Sequence, residues 1–147
     1  MTNDKFIDEL NLPKIVQPYA EYLNMEILPT DAMYAGNKHH YFSCGASALA
    51  CVLHSHGISG NEKPNIILDF GCGAGRVTRW LRAAYPKAII HACDLREQDL
   101  EFVQNICQAT TWVFGYVLRT ACLKNVKNCK SLSASLNWEA TKIMGGY

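Results

Sequence analysis

The sequence predicts an α/β fold, a parallel sheet with helices packed against it, and three observations carry that prediction. Ile66-Ile67-Leu68 is an apolar run without polar alternation, as expected of a strand covered on both faces. The run ends in Asp69-Phe70, and glycines follow at alternate positions, Gly71, Gly73 and Gly75, just before residues with helical spacing. A second apolar run, Ala88 to Cys93, ends in another acid, Asp94. Strand, helix, strand, helix and strand in that order make half of a doubly wound sheet.

Each element has its own signal. Phe6 to Leu12 reads as a short helical stretch closed by Pro13, and Pro18 and Pro29 break up residues 13–40. Ser43 or Ser47 is expected to cap a helix with Ala48, Leu49, Val52 and Leu53 on one face, ending at Gly57. A loop over residues 60–65 leads into the first strand, 66–70. The next helix is expected over residues 75–85, with Val77, Trp80, Leu81 and Ala84 inward and Arg76, Arg79 and Arg82 on the wet side, stopped by Pro86. After the second strand, a helix starting at Glu97 turns Leu100, Val103 and Ile106 inward, and a third strand is expected over Thr111 to Leu118. Beyond that the pattern decays, leaving a candidate helix around Trp138 to Met144. The expected organisation is a lead-in of irregular and helical chain over 1–42, a Rossmann-like half over 43–118, and an atypical tail over 119–147.

Composition excludes several classes. With 147 residues, 49% apolar and 18% charged, the sequence reads as one soluble domain. The apolar stretch Trp112 to Leu123 is interrupted by Arg119 and is too short to span a bilayer, so no membrane partner is expected. The start, Met1-Thr2-Asn3-Asp4-Lys5, lacks a secretory pattern, which makes a cytoplasmic location the expectation. Residues 1–110 hold nine Lys or Arg against twelve Asp or Glu, and residues 111–147 hold five against one. That short basic tail lacks regular aromatic interleaving, which disfavours a nucleic-acid partner.

The cysteine count is seven, an odd number without a secretion signal, and predicts reduced, mostly buried thiols. A zinc site would recruit Cys44, Cys51, His54 and His56, but no Cys-x-x-Cys pair occurs, so no metal is expected. The adjacent His39-His40 reads as a solvated pair, and His91, inside the second strand, as a sheet-face residue.

The two acids and the glycines together describe a ligand cleft. Glycines at 71, 73 and 75 permit backbone shapes and close approach that a side chain forbids. A helix starting there points unpaired N–H groups and partial positive charge into the cleft. Asp69 at the strand end can accept hydrogen bonds from a ligand ammonium, and Asp94 from two ribose hydroxyls, while Leu95 and Arg96 could flank a flat base. A dinucleotide fingerprint requires its third glycine where this chain has the bulky Arg76.

An acid followed by Gly-x-Gly-x-Gly resembles motif I of the class I S-adenosylmethionine-dependent methyltransferases, with Asp69 as its acid and Asp94 matching the ribose-binding acid. The stretches Leu68 to Val77, Arg79 to Pro86 and Ala92 to Leu95 resemble one methyltransferase-domain subfamily, and Tyr41 to Leu49 resembles its lead-in helix. The resemblance implies S-adenosylmethionine as cofactor, with Asp69, Phe70, Gly71, Cys72, Gly73, Gly75, Asp94 and Leu95 as its binding set. Within that set the three glycines border the methionine moiety, Asp94 the ribose and Leu95 the adenine. The implied partner is a methyl acceptor of unidentified class. No catalytic residue is identified: His39, His40, Tyr41 and His91 are candidates only because they titrate or hydrogen-bond.

A complete member of that family resembles a seven-stranded sheet with its fourth strand beside the first. No fourth strand is recognisable here, which predicts an incomplete sheet in a product truncated or altered after the third strand. The open edge of the first strand would then be covered by the tail or paired in a homodimer. Two other readings stay open: a non-catalytic cofactor-binding or interaction fragment, and half of a nicotinamide- or flavin-dependent oxidoreductase.

Overall fold

The computed structural model describes residues 3–60 and 63–113. Helix α1 (Asn3–Glu9) and a 3-10 helix (Gln17–Tyr22) precede the long helix α2 (Lys38–Ser59). Strand β1 (Ile66–Phe70), helix α3 (Thr78–Ala84), strand β2 (Ile89–Asp94), helix α4 (Glu97–Cys107) and strand β3 (Thr110–Val113) follow. The three strands are parallel and ordered β1-β2-β3, with Ile66 opposite Ile89 and Asp94 opposite Val113. This is the predicted strand–helix alternation of a Rossmann-like sheet, incomplete among the described residues. The expected third-strand residues 114–118 and the tail over 119–147, with Cys122 and Cys129, lie outside them.

The core is made where α3 and α4 pack on the sheet and α2 packs on α3. Trp80, Phe42, Leu49, Ile90 and Val103 are fully buried, and each such side chain contributes about 1.5–3 kcal/mol relative to exposure. Gly45 permits the close crossing of α2 over α3, because a Cβ there would lie 2.5 Å from both Arg76 O and Trp80 Cδ1. The lead-in joins the same core through Val16, Ala20 and Leu23, with Phe6 stacked edge-on against Phe42.

Expectations for three elements are corrected. Helix α2 begins at Lys38 rather than at Ser43 or Ser47, because the Asn37 side chain accepts from His40 N at 2.9 Å and caps it. Ser47 instead donates back to Ser43 O at 2.9 Å, as a mid-helix serine does. The helix also runs through Gly57 and ends at Gly60, whose φ of 64° is the left-handed cap glycine readily adopts. Helix α3 starts at Thr78, three residues later than expected, since Gly75 has φ 78°. Nor is its arginine row on the wet side: Arg79 is 1% exposed and Arg82 half-buried. Arg82 donates to the carbonyls of Cys107, Pro86, Ala88 and Gln108, tying α3 to the end of α4 and the start of β2. Strand β1 is less covered than its apolar run suggests. Ile66 and Phe70 are exposed at its ends and Ile67 to Asp69 half-buried, because among the described residues only β2 pairs with it.

Cys72, Cys93 and Cys107 are buried, Cys44 is half-buried and Cys51 exposed, and none of these five is in a disulfide. No group of three or more His, Cys, Asp or Glu is placed to hold a metal among the described residues. No described helix is long and apolar enough to cross a membrane.

Candidate functional site

The site is built where β1 ends. The chain leaves Phe70 and turns through Gly71 (φ 77°), Gly73 (φ 51°) and Gly75 (φ 78°), all in the left-handed region. Its amides face β2. Gly71 N and Cys72 N both donate to Cys93 O, at 2.8 and 3.1 Å, and Gly75 N donates to Cys72 O at 3.0 Å. Gly73 N donates to Asp94 Oδ2 at 2.8 Å. The expected display of unpaired amides is therefore not found at these four positions: three of the donors stitch the turn to β2, and Gly75 N closes the turn on Cys72 O.

Carboxylates dominate what faces the resulting cleft, a space of about 270 Å³ beside the turn. Of the predicted residues, Asp69, Gly71, Cys72, Gly73 and Asp94 come together in its lining. Phe70, Gly75 and Leu95 do not line it. Phe70 is 55% exposed at the strand end and Leu95 is 73% exposed beyond β2. Gly75 lies under the turn against α4, where a Cβ would approach Val103 Cγ2 to 2.9 Å.

Of the opposite wall, only Arg96 was singled out for the cleft from the sequence. This wall comes from the lead-in, through Asp31, Ala32 and Met33, together with Arg76, Arg96 and Asp99. Asp31 Oδ1 accepts from Met33 N at 2.8 Å, an aspartate-anchored turn, and its Oδ2 accepts from the buried Tyr41 hydroxyl at 2.7 Å. Arg79 holds this strap to the glycine turn. It donates to Asn24 O (3.1 Å) and Glu26 O on one side and to Gly75 O (2.9 Å) and Ala74 O (3.2 Å) on the other. Arg96 adds a bond to Thr30 O at 3.2 Å. Pro29-Thr30-Asp31 was the one available signal, a turn-type sequence ahead of an unexplained Met-Tyr pair.

Among the described residues, four aspartates and two arginines line the cleft, so their formal balance is negative. Asp69 accepts from the Thr78 hydroxyl at 2.6 Å, yet burial, opposed by that bond and reinforced by nearby Asp94, lifts its carboxyl above the ordinary carboxylate range. Burial likewise raises Asp99, with Arg96 acting against it. The Cys72 thiol is pushed far up by burial and by the two aspartates, so it is not a nucleophile near neutral pH.

Since the folded-state Asp69 binds its proton more readily than the unfolded chain, burying the charge costs stability at neutral pH, and that cost fades as pH falls toward the unfolded carboxylate value. Asp69→Asn is expected to raise the urea midpoint at pH 7, with the gap to wild type narrowing toward pH 4. Denaturation curves across that range check it, and a gap of constant size or opposite sign contradicts it.

The titratable candidates from the sequence lie elsewhere. His39 Nε2 contacts Glu9 O at 2.8 Å, and His40 lies beside Cys44 Sγ at 3.4 Å, both on α2. His91 sits mid-strand against Trp112, whose indole N–H donates to Nδ1 at 3.1 Å, and burial lowers its pKa. Tyr41 is raised well beyond its usual value, chiefly by burial. None of them lines the cleft.

A parallel α/β half whose first strand ends in an acid and a glycine turn, facing a second acid on the next strand, is the geometry of a Rossmann-like half-sheet. Residues 67–128 match the family model for a methyltransferase domain. A 59-residue stretch is 37% identical to the malonyl-[acyl-carrier protein] O-methyltransferase of Halalkalibacterium halodurans. That stretch covers 40% of this chain and 22% of that protein's length. Residues 67–128 are thus similar to a methyltransferase domain.

Proposed function

We propose that this chain binds S-adenosylmethionine in the cleft beside the glycine turn and serves a methyl-transfer reaction. The supporting observation is the lining itself: four aspartates against two arginines. A cofactor carrying a sulfonium and an ammonium against one carboxylate suits such a cleft. A dinucleotide, with its anionic pyrophosphate, is repelled by it. The family supports the same cofactor through the matched segment.

In this reading Asp94 receives the ribose, and Asp69 receives the ammonium directly or through water. Gly71, Cys72 and Gly73 form the floor that lets the ligand approach the backbone. The cofactor supplies an electrophilic methyl carbon on sulfur. The protein's part is to orient that carbon toward the acceptor and exclude water, a contribution of proximity. Among the described residues the cleft lining includes no histidine, and no general base is assigned.

Calorimetric titration with S-adenosylmethionine, S-adenosylhomocysteine and NAD tests the proposal. The first two are expected to bind and NAD is not. Asp94→Ala is expected to weaken S-adenosylmethionine about 10–100-fold, the value of a charge-assisted hydrogen bond. Equal affinity in wild type and Asp94→Ala, or preference for NAD, overturns it. Binding without turnover on any acceptor would favour the non-catalytic reading instead.

A further inference from the structure

The hydrogen bonds around Asp94 leave it short of acceptors for a ribose. Its Oδ2 accepts from Gly73 N at 2.8 Å, and its Oδ1 accepts from Leu95 N at 2.7 Å and Arg96 N at 3.3 Å. An ionised carboxylate offers about four lone-pair sites. About one therefore remains, on Oδ2, while a vicinal diol brings two donors.

A second carboxylate stands in the same cleft. Asp99, in the first turn of α4, lines the space with Asp94 and is 3% exposed. Its Oδ2 lies 3.5 Å from Arg96 Nε, so Arg96 connects the two acids, giving its amide to Asp94 and its side chain to Asp99. Its Oδ1 is buried and has no hydrogen-bond partner among the described residues. Buried acceptors are normally paired, so an orphan on a cleft wall points to a donor that arrives with the ligand. The terminal torsion of an aspartate is broad, which allows either oxygen to turn toward the space that the residue lines. An acid in a first helical turn favours the helix dipole whatever else it does, but that role needs neither burial nor an orphaned oxygen.

Resting on the cofactor reading above, we propose that Asp99 is a second ribose-recognition residue, accepting the nucleoside hydroxyl for which Asp94 has no lone pair left. The two carboxylates then divide the diol between them, with Arg96 holding their spacing.

The test is a cycle of calorimetric titrations. Wild type, Asp99→Leu and Asp99→Asn are each titrated with S-adenosylhomocysteine and with its 2′-deoxy and 3′-deoxy forms. One deoxy form is expected to bind wild type roughly tenfold more weakly. Asp99→Leu is expected to weaken the parent compound by a similar factor, and that deoxy form should then bind it no worse than the parent does. Asp99→Asn, which keeps the shape and weakens the acceptor, is expected to shrink the deoxy penalty without abolishing it, and it carries the comparison if the leucine variant does not fold. Unchanged parent affinity in the variants, or losses that simply add for both deoxy forms, overturns the Asp99 assignment while leaving the cofactor reading intact. Failure of wild type to bind any of the three compounds overturns both.

Discussion

Arg79→Ala is expected to cost about 3–5 kcal/mol of folding stability, through the loss of several charge-assisted hydrogen bonds to buried neutral acceptors. The guanidinium is 1% exposed and reaches carbonyls on two separate pieces of chain, Asn24 and Glu26 on the strap and Ala74 and Gly75 on the glycine turn. Its removal strands these acceptors, each buried loss costing about 1–3 kcal/mol. Burial pulls the Arg79 pKa down, yet the fork remains charged near neutral pH because an arginine starts so high. Arg79→Lys is not expected to rescue, since a single ammonium cannot bridge both walls. Urea denaturation followed by circular dichroism measures the loss, and limited proteolysis should find new cuts in residues 23–33. A change under 1 kcal/mol with an intact proteolytic pattern contradicts the role given to this residue.

Gly75→Ala should be nearly as damaging, at about 2–6 kcal/mol. A left-handed backbone costs a non-glycine residue about 1–3 kcal/mol, and overpacking adds about 1–3 kcal/mol. Both terms apply, because φ is 78° and the new Cβ would meet Val103 Cγ2 at 2.9 Å. The two terms separate in a Val103→Ala background, where the clash is relieved and only the backbone cost remains. Denaturant midpoints of the four proteins make the comparison. Equal cost in both backgrounds would mean that the contact with α4 carries nothing.

These two residues also mark what the sequence could and could not reveal. The alternating glycines and the acids at 69 and 94 were legible because their meaning is local: a strand must end, turn sharply and enter a helix within a few residues. Arg79 was misread because helical spacing reports only which face a residue occupies. What meets that face is set by the chain 53 to 55 residues earlier, whose carbonyls carry no sequence signature. Asp31 and Met33 were missed for the same reason, as was the Asn37 cap, where the side chain of one residue extends α2 by more than a turn. Gly75 was singled out from the sequence for the cleft, and the structure places it beneath the turn, packed on α4. The burial of Asp99 depends on how α4 docks, which no spacing rule predicts.

The most direct measurement is a crystal structure of the chain in complex with S-adenosylhomocysteine. The account predicts the ribose within hydrogen-bond distance of Asp94 and the amino-acid end over Gly71 to Gly73 near Asp69. A nucleoside bound elsewhere, with both carboxylates turned away from it, would contradict the account.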